Sequence, residues 1–143
     1  ATPYFVPDDA LVDALKFASL RGIDVRILVP EKSNHWFSDI AAGALLRELA
    51  ESGVGVYRFQ PRMLHAKAML VDHTVAAVGS ANFDMRSLFL NYEIVQFLYA
   101  ADDIQQLHAW FETKFIESEF GIPTPTVARS VSEGIARAFS PMF

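Results

Sequence analysis

The apolar positions of this chain follow two different periods. Leu11, Val12, Leu15, Phe17 and Ala18 recur at helical spacing behind Pro7-Asp8-Asp9 and ahead of Gly22. Either aspartate can accept from the free N–H groups of a first turn. The acidic pair suits the positive end of the helix dipole, and Gly22 supplies the stop. Ile23 to Val29 is a β-branched run that predicts a largely buried strand ended by Pro30. Glu31 to Phe37 reads as a loop. Ser38 then caps a second helix to about Ser52, with Ile40, Leu45, Leu46 and Leu49 apolar, and Val54 to Phe59 is the next strand. Strand, helix, strand in that order predicts an α/β fold, a mixed sheet with helices on both faces.

From Ala66 the elements shorten. Ala66 to Val71 predicts a strand, Asp72-His73-Thr74 a turn, and Val75 to Val78 the returning strand. Gly79 to Asn91 is polar and irregular, and Glu93 to Tyr99 is strand-like again. A long helix from Asp102 to about Glu119 carries Ile104, Leu107, Trp110, Phe111 and Phe115 on one face, a stripe that predicts core packing. Gly121 to Thr126 holds two prolines and reads as a linker. The division expected is a core over 1–121 and a tail over 122–143, with a weak helical pattern at Val131 to Phe139.

Composition narrows the class. A chain of 143 residues suits one domain, and 52% apolar with 20% charged residues excludes intrinsic disorder. The lack of cysteine excludes a disulfide scaffold, a thiol nucleophile and a Cys-ligated zinc site. The apolar runs fall well short of the ~20 residues of a bilayer span. A net charge of −5 weighs against gripping nucleic-acid backbones, so no nucleic acid partner is expected. The charge is uneven: residues 61–95 carry three basic and three acidic groups, a neutral stretch in an acidic chain. The chain opens on Ala1 rather than Met and reads as a piece of something longer.

The chemistry concentrates in that neutral stretch. His65 and Lys67 stand two apart at a strand start and therefore share a face. A proton-transfer group beside a fixed cation suits phosphoryl chemistry, because the lysine neutralises charge on the non-bridging oxygens. In Gly79-Ser80-Ala81-Asn82 the glycine allows close backbone approach, while the Ser80 hydroxyl and Asn82 amide can donate to phosphate oxygens. Glu93 opens the next strand, where a carboxylate could fix the tautomer of an imidazole. Asp72 ends the first strand. His73 reads as hairpin chemistry, and His108 as structural. His35 lies with Trp36 and Phe37 in a loop able to rim the same cleft. Phe83, Leu88, Phe89 and Leu90 form an apolar group fit for a membrane surface or a partner lobe.

The pattern H-x-K-x-x-x-x-D, a short hairpin, then G-S-x-N resembles the signature of the phospholipase D superfamily, at His65, Lys67, Asp72, Gly79, Ser80 and Asn82. The flanks are similar to one branch, the bacterial cardiolipin synthases. They include Thr2-Pro3-Tyr4-Phe5-Val6-Pro7-Asp8, Arg21-Gly22-Ile23-Asp24-Val25-Arg26, Gly79 through Ser87, Leu90-Asn91-Tyr92-Glu93 and Ser140-Pro141-Met142-Phe143.

The resemblance implies a two-step phosphatidyl transfer between phosphatidylglycerol molecules through a phosphohistidine. His65 is then the acid/base partner, and Lys67 and Asn82 bind phosphate with Ser80 in support. Glu93 orients His65, Asp72 ties down the strand end, and neither cofactor nor metal takes part. The resemblance also places the parent enzyme at the bacterial cell membrane. That superfamily needs two copies of the motif, and His35, His73 and His108 have no lysine two residues on. The chain is thus expected to be the C-terminal half of a two-lobed enzyme, or to pair with a second copy. A hydrolase or nuclease working as a homodimer, or a half-domain inactive alone, is the alternative reading.

Overall fold

The computed structural model describes residues 1–125; the tail helix expected at Val131 to Phe139 lies outside them. The elements run β1 (Phe5–Val6), α1 (Asp9–Leu20), β2 (Arg26–Pro30), α2 (Trp36–Glu51), β3 (Gly55–Phe59), β4 (Ala68–Val71) and β5 (Val75–Gly79). Then follow β6 (Phe83–Asp84), α3 (Met85–Phe89), β7 (Val95–Leu98), α4 (Ala101–Ile116) and β8 (Ser118–Phe120). Asp8 caps α1, its Oδ1 accepting from the Leu11 N–H at 2.9 Å. The second helix starts two residues before the expected serine cap. His35 occupies the cap position with no side-chain bond there, and the carboxylate of Asp39 instead accepts from the Ser33 N–H at 3.1 and 3.3 Å.

β2 and β3 pair in parallel around the α2 crossover, and β8 adds to β3 antiparallel. β4, β5 and β7 form an antiparallel meander. Residues 1 and 2 join the two groups: Ala1 exchanges both main-chain bonds with Ala68, and the Thr2 N–H donates to the Leu28 carbonyl at 3.1 Å. β1 pairs in parallel with β6, Phe5 opposite Phe83.

Two apolar clusters sandwich this sheet. On one side Val12, Leu45, Leu46 and Leu49 of α1 and α2 meet Ile27, Val29 and Val56. On the other, Phe111, Trp110 and Phe115 of α4 meet Leu28, Phe59, Leu64, Ala66, Ala68 and Leu70. Leu28 is fully buried, worth about 1.5–3 kcal/mol relative to an exposed leucine. The aromatic stripe of the long helix is therefore core, as its spacing predicts. The side-chain period of two has a further consequence. Even-numbered positions 64–70 face α4, so His65, Lys67, Met69 and Val71 face away from it. Helices α1 and α2 cover the β2–β3 half of that opposite side, whereas Met69, Val71, Val95 and Phe97 stay exposed.

Candidate active site

His65 and Lys67 precede the ladder of β4, and the Gly79 N–H donates to the Lys67 carbonyl at 3.1 Å, which extends the strand register to them. Both side chains therefore stand on the bare face. The Lys67 ammonium lies 3.1 Å from His65 Nδ1 and 3.3 Å from Nε2, and donates to the His65 carbonyl oxygen at 3.2 Å. Partial burial lowers the Lys67 pKa, against the opposing pull of Glu93 and Asp84. A partly desolvated cation beside an exposed imidazole is ready to exchange that contact for an anionic oxygen.

Gly79 brings the adjoining strand close. A Cβ at this position would stand 2.2 Å from the Ile94 carbonyl oxygen. That approach lets the Ser80 N–H donate to Ile94 O at 2.9 Å, while the Ile94 N–H donates to Ser80 Oγ at 3.0 Å. Ser80 Oγ in turn donates to Glu93 Oε2, and Asn91 Nδ2 donates to Glu93 Oε1 at 3.3 Å. The expected bond between Glu93 and His65 is not formed among the described residues. Glu93 closes a clasp on Ser80 instead, which leaves the serine proton engaged inside the protein rather than free for phosphate. Asn82 follows in the same loop, with its Oδ1 buried and unpartnered among the described residues.

The clasp has a titration signature. The Ser80 hydroxyl, followed by Asn91 and the Lys67 charge, holds the Glu93 carboxyl below its ordinary 4.5. A depressed folded pKa means that the clasp's contribution is complete above that ordinary value and fades as pH falls through the lower folded midpoint. Carboxyl-carbon NMR should find Glu93 titrating below 4.5. In Ser80→Ala the midpoint should move up, and an unmoved midpoint would count against the clasp.

Asp72 does not join the group. With His73 it forms the hairpin turn, at φ 49° and 54°, and the Thr74 N–H closes the turn on Val71 O at 2.9 Å. A cleft of about 510 Å³ beside that turn also takes in Arg26, Glu112 and His108, and the His73 and His108 rings lie 4.5 Å apart. A second cleft of about 440 Å³ lies between the Pro3–Phe5 segment, the 31–35 loop and α2. Neither is lined by His65, Lys67, Ser80, Asn82 or Glu93. The constellation lies on an open surface, flanked by exposed Phe89, Leu90, Tyr92 and Ile94. Sequence reasoning left the role of Tyr4 unassigned. Its ring contacts both His65 and His35, so the His35 loop does adjoin the site.

The family model described as cardiolipin synthase, PLD-like domain, matches residues 1–115. The chain belongs to this family. Among relatives, the chain is similar to a probable cardiolipin synthase, YwiE, of Bacillus subtilis, 39% identical over 143 residues, covering 100% of this chain and 29% of that protein. A cardiolipin synthase of a Geobacillus species is 41% identical over 147 residues, covering 99% of this chain and likewise 29% of that protein. The chain thus spans under a third of the length of these relatives.

Among solved structures, the phospholipase D family member Nuc of Salmonella typhimurium superposes with a TM-score of 0.72 at 21% identity, covering 85% of this chain and 80% of that one. NucT of Helicobacter pylori gives 0.68 at 16% identity, covering 82% and 77%. The α/β architecture of this cardiolipin synthase-like domain is therefore the phospholipase D fold, with helices on both faces of a mixed sheet.

Proposed function

We propose that this domain is one catalytic lobe of a phosphatidyltransferase that joins two phosphatidylglycerol molecules and releases glycerol. The observation that carries the reading is the His65–Lys67 pair on an uncovered sheet face, in a chain whose relatives match it along its length. One histidine of a pair attacks phosphorus and holds the phosphatidyl group as a phosphohistidine. The other protonates the departing glycerol and then takes the proton of the incoming hydroxyl. His65 fills the second role. Lys67 and the Asn82 amide hold the non-bridging oxygens, and Glu93 acts through Ser80 to fix the loop that carries Asn82.

A second lobe with its own His-x-Lys supplies the nucleophile and covers the face bearing Met69, Val95 and Phe97. Exposed apolar patches of this kind mark interaction sites. Exposed Phe89, Leu90 and Tyr92 beside the site suit the lipid surface that holds the substrate. Among the described residues no helix is long and apolar enough to cross a membrane.

Vesicles of phosphatidylglycerol treated with the intact enzyme should yield cardiolipin and free glycerol in equal amounts. Phosphatidic acid as the main product would make water the acceptor and the enzyme a hydrolase. Phosphatidic acid in place of cardiolipin, or the formation of neither product, would overturn the transferase reading.

A further inference from the structure

Tyr4 stands between two imidazoles. Its ring meets that of His65 edge to face, with centroids 6.2 Å apart and planes at 80°. It meets His35 in the same manner at 5.1 Å and 68°. Its hydroxyl donates to Asn34 Oδ1 at 2.6 Å. The main chain beneath the ring is clamped as well. The Thr2 hydroxyl donates to the Tyr4 carbonyl at 2.7 Å and accepts from the Phe83 N–H at 3.0 Å. Thr2, Phe5 and Val6 are all buried. The ring is thus held from the core at one end and from the 31–35 loop at the other.

His65 has no such support of its own. The side chain is exposed, and its only polar contact among the described residues is with the Lys67 ammonium. That cation must turn to a phosphate oxygen when substrate arrives, so it cannot also be what aims the imidazole. Edge-to-face contact, seen here, is one of the two arrangements that aromatic pairs favour over a face-to-face sandwich. A fixed ring on one side of a mobile one removes the rotamers that would collide with it.

We infer that Tyr4 is a positioning residue for His65, an aromatic wall that keeps the imidazole aimed across the bare face while Asn34 stops the wall from turning. The inference rests on His65 being the reacting group proposed above. It goes further in giving the opening segment and the 31–35 loop a part in aiming that group. Through Thr2 and Phe83, the same clamp ties the wall to the strand that follows Asn82, so the proton-transfer group and the phosphate loop share one support.

Histidine-selective NMR of the chain tests the contact directly. In Tyr4→Leu the His65 ring protons should lose the ring-current shift; Tyr4→Phe, which keeps the ring but gives up its bond to Asn34, should retain most of that shift with broadened signals. Asn34→Ala lies outside the core and serves if Tyr4→Leu fails to fold; it should broaden or move the His65 signals by freeing the phenol ring. In the intact enzyme acting on phosphatidylglycerol vesicles, Tyr4→Leu should lower kcat by about 10–100-fold at nearly constant KM, the scale of a small misplacement of a reacting group. Tyr4→Phe, which keeps the wall without its Asn34 anchor, should recover part of that loss.

His65 signals unmoved in both Tyr4→Leu and Asn34→Ala would overturn the inference. So would an effect on KM alone, or a kcat in Tyr4→Phe as low as in Tyr4→Leu. If the wild-type enzyme makes no cardiolipin, the functional reading fails, and the NMR result still decides the contact.

Discussion

Alanine in place of His65 should cost the intact enzyme about 10²–10⁴-fold in phosphatidyl transfer, the range typical of a positioned acid–base group. The fold should be indifferent to the change, because the imidazole is exposed and takes no part in the apolar cluster around Leu64 and Ala66. A melting temperature equal to that of the wild type together with a lost rate is therefore the expected pair of results. Lys67→Met supplies the complementary measurement. It keeps the stem of the side chain and removes the charge, so it should weaken phosphate binding and rate while leaving the imidazole in place. Transfer that survives His65→Ala in a folded enzyme would remove this residue from the mechanism and leave Lys67 as a binding group only.

The part of this site that follows from period-two alternation was legible in the sequence. Apolar residues at 64, 66, 68 and 70 are the buried side of a strand, so His65 and Lys67 had to share the other side. The core stripe of α4 was legible for the same reason at period 3.6. Elements that owe their existence to a distant partner were not. Ser118-Glu119-Phe120 is too short to announce a strand and becomes one because it lies along Tyr57 to Phe59. Phe83 and Asp84 form a strand against Phe5 and Val6, on residues separated by most of the chain. The helix α3 did carry a local signal, Asp84 three residues before Ser87, whose N–H donates to it at 2.7 Å. The stretch around it was nevertheless expected to be irregular.

The partner of Glu93 was illegible on different grounds. A carboxylate at the start of a strand beside a histidine motif has several polar groups within chain reach, and sequence spacing does not rank them. The ranking comes from how closely two strands approach. Ser80 meets Glu93 because β7 runs against Gly79, and that distance is a tertiary fact. The same holds for Tyr4, sixty-one residues from His65 in the sequence and beside it in the fold.

Gly79→Ala should consequently be among the most damaging single-methyl changes in the domain. The added carbon would meet the Ile94 carbonyl oxygen at 2.2 Å and Val95 Cα at 2.9 Å, both main-chain atoms that no side-chain rotation can move aside. Relief requires β7 to shift away from β5. That shift breaks the Ser80 N–H bond to Ile94 O and its reciprocal from Ile94 N–H to Ser80 Oγ, and with them the hold of Ser80 on Glu93. Overpacking of this kind costs about 1–3 kcal/mol or more. The effect on activity should exceed that cost, because the displaced loop carries Asn82.

Gly22 provides the control. Its φ is +87° and nothing lies within 4 Å of a Cβ there. Gly22→Ala should therefore destabilise by about 1–2 kcal/mol through left-handed strain yet transfer phosphatidyl groups normally wherever it is folded. Both variants should melt below the wild type, and only Gly79→Ala should be inactive at temperatures where circular dichroism shows it folded. Normal transfer by folded Gly79→Ala would mean that the close approach of β7 serves the sheet alone and leaves the phosphate loop to position itself.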